Sequence, residues 1–451
     1  MRRKLSFALA LAILPTGAAC TALLGSYEVG ATSGATPDGG GGDAAGDAVA
    51  SETGAGEAGV DGGDGGGPAR LKCALTAASA RTLDTGPLTP ILFAFGLAGN
   101  QTRVITTKIG QGVVMYTYDR KQGGAPQITP LSKIGRILSV RQLANGIGVL
   151  SVDNLAGSAA ISLGFTLIDD AGGTNNITFG PIPPGSQISG SFAPLGSDYL
   201  YAYGDGNGTI KAGRYMSGMS TPLVTVASGV TGSAGNVKTV EVDNGKMYVF
   251  NDVGPDGSNG NAAGYYAFPD SVTATGSLSS LGSGAPGKAT FTIDTDSALG
   301  NFQVGLVELD LANGTPPAVL HAGTVPAAKG TSFNVGDIPT AFTLDTLLDA
   351  PFGDHAFARF QGNDFYALGA NPNKDPGLDF IWFDTKSKTL RAVNGNADKL
   401  LPMRTVTSVA AIATQTTGIF ANFEVVWSEG ASQMMVTAPA TLFAAQMNCI
   451  K

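Results

Sequence analysis

The sequence predicts an all-β fold, a β-propeller of about seven four-stranded blades, and leaves tandem β-sandwich domains open as the alternative. Three observations lead there. Gly contributes 65 of the 451 residues while charged residues make up 14 %, a balance closer to a turn-rich β protein than to a charged, helix-rich one. From about Leu71 onward, short runs alternate apolar and polar residues between Gly, Asn, Asp and Pro turns, which is strand-and-hairpin patterning. Finally, one unit recurs: an apolar strand ending near Asp or Ser, a turn, and a second strand.

That unit can be followed along the chain through MYTYDRKQGGAPQITPL, GFTLIDDAGGTNNITFG and later copies, with pivots near Asp119, Asp169, Ser217, Asp270, Asp310, Asp384 and Glu429. The spacing averages roughly 50 residues, in the range of propeller blades, but varies between about 40 and about 74. Several units are preceded by a further hairpin: LANGIGVLSVD, LGSDYLYAYGD, VDNGKMYVFND and FQGNDFYALG. Asn145-Gly146 and Asn244-Gly245 are pairs that tight strand turns favour. Two hairpins per unit make a four-stranded blade, and radial repetition leaves only short, protected edges. Helical spacing is scarce, with Thr340 to Leu348 as one short candidate.

The N-terminus has a different character. Arg2, Arg3 and Lys4 precede an apolar run from Leu5 to Leu14, followed by Pro15, Thr16 and the small residues Gly17, Ala18 and Ala19. This is the order of a secretory signal, and the apolar run falls short of the ~20 residues that span a bilayer as a helix. Gly17-Ala18-Ala19-Cys20 resembles the lipobox of bacterial lipoproteins, with Gly17 where that family more often has Leu or Val. The resemblance implies a cleaved leader at 1–19 and a lipidated Cys20, and Thr21 after the cysteine implies sorting to the outer membrane. Cleavage near Ala19 with Cys20 left as a plain thiol is the alternative reading.

Residues 20–69 follow, in which Gly30 to Pro68 is a run of Gly, Ala, Asp, Ser, Thr and Glu with almost no apolar bulk, acidic from Glu28 to Asp64 with no Lys or Arg until Arg70. Such composition cannot bury enough apolar surface to offset its ordering entropy. A Gly-rich coil of about 45 residues spans roughly 35–40 Å, which suits a tether between a membrane anchor and a folded body at 70–451. Gly54-Ala55-Gly56-Glu57-Ala58-Gly59 matches the dinucleotide-binding fingerprint by letter, but it neither follows a strand nor opens a helix. The match follows from composition.

With Cys20 assigned to lipid, Cys73 and Cys449 remain at the two ends of the body. An oxidising compartment permits them to pair, and in a closed ring the first and last segments are neighbours, so the bridge would lock the closure.

The formal net charge of −8 gives no basic face to displace phosphate counterions, so nucleic acid is not an expected partner. The sequence contains no G-x-S-x-G elbow, Walker loop, H-E-x-x-H or C-x-x-C, and its two histidines, His321 and His355, offer little for metal or general-base chemistry. Asn371, Asn373, Asp375 and Asp379 recur at alternate positions, roughly the spacing by which a loop wraps Ca²⁺. Pro376 sits where an EF-type loop has Gly, and turn chemistry explains the same residues. Asp205-Gly-Asn207-Gly-Thr209 has the same two readings. Tyr199, Tyr201, Tyr203, Tyr265, Tyr266, Trp382 and Trp427 fit either a sugar- or peptide-binding floor or ordinary blade packing.

The sequence therefore points to a cell-envelope lipoprotein facing the periplasm or the cell surface. It would be held to the membrane by its lipid and present a propeller that binds an extracellular protein or glycan. An envelope hydrolase or lyase acting on polysaccharide or peptide is the alternative, since propellers can gather carboxylates from separate blades. A structural role in an envelope assembly is a third reading, and neither the ligand nor the oligomeric state is legible.

Overall fold

The computed structural model describes residues 70–450 with breaks, the longer ones at 154–160, 228–236, 252–262, 268–287, 311–317, 327–339, 344–354 and 431–439, and describes no side chain from 250 to 358. The leader, Cys20, the tether and the 54–59 fingerprint match lie outside the described residues.

Two short strands open the body, β1 (Lys72–Leu75) and β2 (Arg81–Gly86). The next four form an antiparallel meander, blade 1: β3 (Leu88–Gly96), β4 (Gln101–Lys108), β5 (Gly112–Asp119) and β6 (Gln127–Pro130). Blade 2 repeats it with β7 (Arg136–Leu143), β8 (Gly146–Asp153), β9 (Ile161–Asp169) and β10 (Thr174–Ile182). Blade 3 contains β11 (Ser189–Leu195), β12 (Asp198–Gly204) and β13 (Ile210–Met216), with β14 (Met219–Ser220) and β15 (Val224–Ala227) sharing the outer edge of β13. The described strands of blade 4 are β16 (Val237–Asp243), β17 (Lys246–Asn251) and β18 (Ala263–Ala267).

Blade 5 holds β19 (Lys288–Ala298), β20 (Asn301–Asp310), β21 (Ala318–Pro326) and β22 (Thr340–Thr343). Blade 6 holds β23 (His355–Gln361), β24 (Asp364–Asn371), β25 (Asp375–Asp384) and β26 (Thr389–Asn394). Blade 7 takes β27 (Val406–Thr416), β28 (Phe420–Gly430) and β29 (Ala440–Ile450) from the end of the body, and its fourth position is filled by β1 and β2, both paired with β29.

The first strands pack against one another around the ring: β7 on β11, β11 on β16, β16 on β19, β19 on β23, β23 on β27 and β27 on β3. Gln142 completes the circuit by donating to the carbonyl of Gly96 at 3.0 Å. The chain is thus a seven-bladed β-propeller, and the tandem-sandwich alternative is set aside because each sheet meets its neighbours side by side around one centre. Its apolar cores lie between blades. Phe95, Ile105 and Met115 meet Val140, Ile147 and Val149 between blades 1 and 2, while Phe165 and Leu163 meet Phe192 and Tyr201 between blades 2 and 3.

At the described pivots the recurring unit holds, with two of them out of phase; Ser217 and Asp270 lie outside the described residues. Asp119, Asp169 and Asp384 end the third strands of their blades, and each carboxylate accepts backbone N–H groups of the turn beyond it. Asp119 Oδ1 takes Lys121 (2.7 Å) and Gln122 (3.2 Å), Asp169 Oδ1 takes Gly173 (2.7 Å), and Asp384 Oδ1 takes Lys386 (2.9 Å) and Ser387 (3.1 Å). The bonds from Asp119 and Asp384 to the residue two on are Asx turns, the local reason Asp is placed there, while Asp169 ties a longer turn. Asp310 and Glu429 instead end second strands, β20 and β28, so the spacing shortens before Asp310 and lengthens after it. The short helix expected from Thr340 begins as strand β22, whose backbone pairs with β21; edge pairing decides the conformation of that β-branched stretch.

Cys73 and Cys449 face each other in the β1–β29 register and form a disulfide. The bridge therefore crosses the point where the two ends of the body join.

Candidate functional site

On β7, Arg141 follows a bulge between Ile137 and Ser139, and its side chain reaches past blade 3 to Glu241 on β16 of blade 4. Nη2 lies 2.7 Å from Oε1, with the two side chains only 5 % and 6 % exposed. Each charge makes burial of the other tolerable. Beside this pair lies a cavity of about 740 Å³ between blades 2 and 3.

Its buried lining is apolar apart from the ion pair, with Ile147, Ile168 and Ala193 contributing. Its exposed lining carries one carboxylate, Asp169, among the uncharged polar side chains Asn145, Thr174, Asn175 and Ser197. Tyr199 adds a half-buried ring that packs against Phe165 at 4.7 Å and Tyr215 at 6.4 Å. Burial, with some help from Tyr215, holds the Tyr199 hydroxyl above the usual tyrosine range.

Three turns set the shape of this opening. Leu143 pairs with Gly146 across the β7–β8 turn, which presents Asn145. Gly146 has φ +137° and a Cβ there would lie 2.1 Å from the Ile168 carbonyl oxygen, so only glycine fits. The β9–β10 turn is braced from blade 1, where Arg103 donates to the carbonyls of Asp169 and Asp170 at 2.6 Å each. The β11–β12 turn carries Gly196 at φ +62°, and Asp198 beside it is fixed by Arg214 at 2.5 Å.

The cavity was not legible as a site, although parts of it were. Asn145 belongs to a turn pair, Asp169 to a pivot, and Tyr199 to the aromatic set read from the sequence. They converge because blades 2, 3 and 4 are neighbours in the ring. The rest of the aromatic set divides differently. Tyr201, Tyr203 and Trp382 are fully buried packing residues, as is nearly all of Trp427. Trp382 donates to Asp364 at 2.9 Å and Trp427 to Glu429 at 2.8 Å. The side chains of Tyr265 and Tyr266 lie outside those described.

The Asn371–Asp379 segment forms the β24–β25 hairpin, with Asn371 paired opposite Asp375 and Asn373 outside the described residues. Asp379 faces Lys399 at 3.6 Å, both nearly buried. Among the described residues, no group of three or more His, Cys, Asp or Glu gathers as metal ligands do. Asp205 accepts the Thr209 N–H at 3.1 Å, in keeping with its turn reading. His321 lies on β21 and His355 opens β23, their side chains beyond those described.

Compared with known proteins, the chain matches no family model and no curated protein. Solved structures do resemble it. One is a prolyl endopeptidase, at 10 % identity and TM-score 0.35, with 77 % of this chain aligned to 55 % of that one. This chain thus spans about half the length of that enzyme. The GH43 endo-arabinanase of Bacillus licheniformis matches at 15 % identity and TM-score 0.30, over 52 % of this chain and 94 % of its own. The Aleuria aurantia lectin, as a point mutant in complex with α-methyl-L-fucoside, matches at 15 % identity and TM-score 0.36, over 73 % of this chain and 98 % of its own. These likenesses are distant, and the fold rests on the strand order given above.

Proposed function

We propose that the chain is a tethered binding protein of the cell envelope: Cys20 carries lipid at the outer membrane, residues 20–69 hold the body clear of it, and the pocket between blades 2 and 3 takes an uncharged saccharide. The lining of the pocket carries this reading. Amide and hydroxyl side chains at Asn145, Thr174, Asn175 and Ser197 both donate and accept hydrogen bonds, as a ligand dense in hydroxyls requires. Tyr199 offers an apolar face with a polar tip. A concave site with few convergent polar groups suits a small ligand.

The charged groups of the pocket already have work. Glu241 is held by Arg141, and Asp169 accepts the Gly173 N–H. Neither stands as a ready general acid or base, so the arrangement favours holding a ligand over turning it over.

The test is binding of the full-length, detergent-extracted chain to an array of neutral saccharides, followed by calorimetry of the hits with Tyr199→Ala. Saturable binding that weakens at least about tenfold in the variant, with circular dichroism unchanged, supports the reading. Release of cleavage products would favour the envelope hydrolase or lyase instead, and absence of any saccharide binding would overturn the proposal. Intact mass tests the anchor separately, with an N-terminus at acylated Cys20 as the expected result.

A further inference from the structure

We infer that the pocket continues outward onto an aromatic step, and that its ligand is an oligosaccharide whose second unit lies on Tyr215; this rests on the saccharide reading of the pocket. Tyr215 does not line the cavity, yet it stands directly opposite Tyr199 in the β12–β13 register. The two rings are 6.4 Å apart and tilted by 30°, so they form a short step rather than one stacked block. Both are partly exposed. Since β12 is the second strand of blade 3 and β13 the third, the step leads outward from the pocket toward the rim of the blade.

The packing that backs this step comes from β10 of blade 2. Asn175 and Ile177 alternate with Asn176 and so share one strand face, and Phe179 follows at a register shift between Thr178 and Gly180. Asn175 lines the pocket, while Ile177 and Phe179 pack toward blade 3. Phe179 meets Tyr215 at 5.7 Å and stacks on Tyr201 at 4.2 Å with 3° between planes. Tyr201 in turn lies flat over Gly213, where a Cβ would come within 2.4 Å of its hydroxyl. The platform is therefore backed by rigid packing, and Tyr215 is held in place before any ligand arrives. Half-exposed aromatic rings continuous with a pocket rich in amide and hydroxyl groups match a chain of sugar units, each with an apolar face and a hydroxyl edge. A polyanion would meet the exposed carboxylate of Asp169 at the pocket.

The experiment is a calorimetric series with neutral homo-oligosaccharides of glucose, mannose and galactose, one to four units long, on the full-length chain and on Tyr215→Ala and Tyr215→Phe. Affinity should rise about tenfold or more from one unit to the longer members. Tyr215→Ala should remove that rise while leaving one-unit binding intact, and Tyr215→Phe should keep it. Equal affinity at every length, unaffected by Tyr215→Ala, would overturn the inference while leaving the pocket reading in place. Failure of all members to bind would remove the pocket reading and this inference with it.

Discussion

Between blade 7 and blade 1 polar groups bond across the seam beside a shared apolar core, whereas between blades 2 and 3 aromatic rings pack around a cavity. At the first seam Arg81 donates to the carbonyls of Asp119 and Arg120 at 2.7 Å and of Gln122 at 3.0 Å, and lies 4.9 Å over the Tyr118 ring. Tyr118 donates to Glu424 at 2.9 Å, and Asp84 accepts from Lys108 at 2.6 Å and Tyr116 at 2.5 Å. At the second seam the buried hydroxyls of Tyr201 and Tyr203 find no hydrogen-bond partner among the described residues, and burial pushes the Tyr203 hydroxyl up to about 12. Directional bonds lie where the ends of the body must find each other. Shape and half-exposed rings lie where a ligand can enter.

On that division, the largest loss of stability should come from the closure. Replacing Cys73 and Cys449 by Ser together removes a cross-link with sequence separation 376, worth up to about 6 kcal/mol in the chain-entropy model. Urea unfolding with and without reductant measures it. The wild type should fall to the variant's midpoint on reduction, and the variant should not respond.

Next comes the ion pair beside the pocket. Glu241→Ala leaves Arg141 buried without its charge partner and should cost about 3–5 kcal/mol, whereas replacing Arg141 and Glu241 by Met and Leu together should cost much less. Equal losses in the single and double variants would mean that the pair is not coupled across blade 3.

Smaller effects separate two carboxyls of the closing seam by pH. For Asp84, burial acts to raise the pKa, but the bonds from Lys108, Tyr116 and the Thr85 N–H prevail and hold it below the usual range. Its contribution is present at neutral pH and lost as pH falls through that depressed value. Asp84→Asn should therefore cost about 1.5–3 kcal/mol at pH 7, a difference that closes in strong acid. Burial raises Glu424 despite the Tyr118 bond and the nearby Arg81 and Arg120. The unfolded chain ionises first, so Glu424 lowers stability as pH rises from the ordinary glutamate range toward its raised value. Glu424→Gln, which can still accept from Tyr118, should flatten that fall and leave the variant at least as stable at pH 7. Urea midpoints from pH 3 to 8 resolve both signs.

Much of this architecture is legible because its local chemistry is short-range. Asp119, Asp169 and Asp384 mark turns in the sequence, and in the structure each carboxylate accepts a backbone N–H of the turn beyond it. Asp310 and Glu429 carry the same surface pattern, yet they sit one hairpin early. A second-to-third-strand turn and a third-to-fourth-strand turn ask the same of a residue, so local chemistry cannot tell them apart. Cys73 and Cys449 could be paired because a closed ring makes its ends neighbours. The pocket could not be assembled in advance. Its lining comes from 141–147, 167–175, 193–199 and 241–242, segments that meet only through the order of blades around the centre.

The most direct test is hydrogen exchange of the full-length chain with and without the tightest-binding saccharide. Protection confined to 141–147, 167–175 and 193–199, extending onto 210–216 with the longer oligosaccharides, is the predicted result. Protection at the blade 7–blade 1 seam with none in these segments would contradict it.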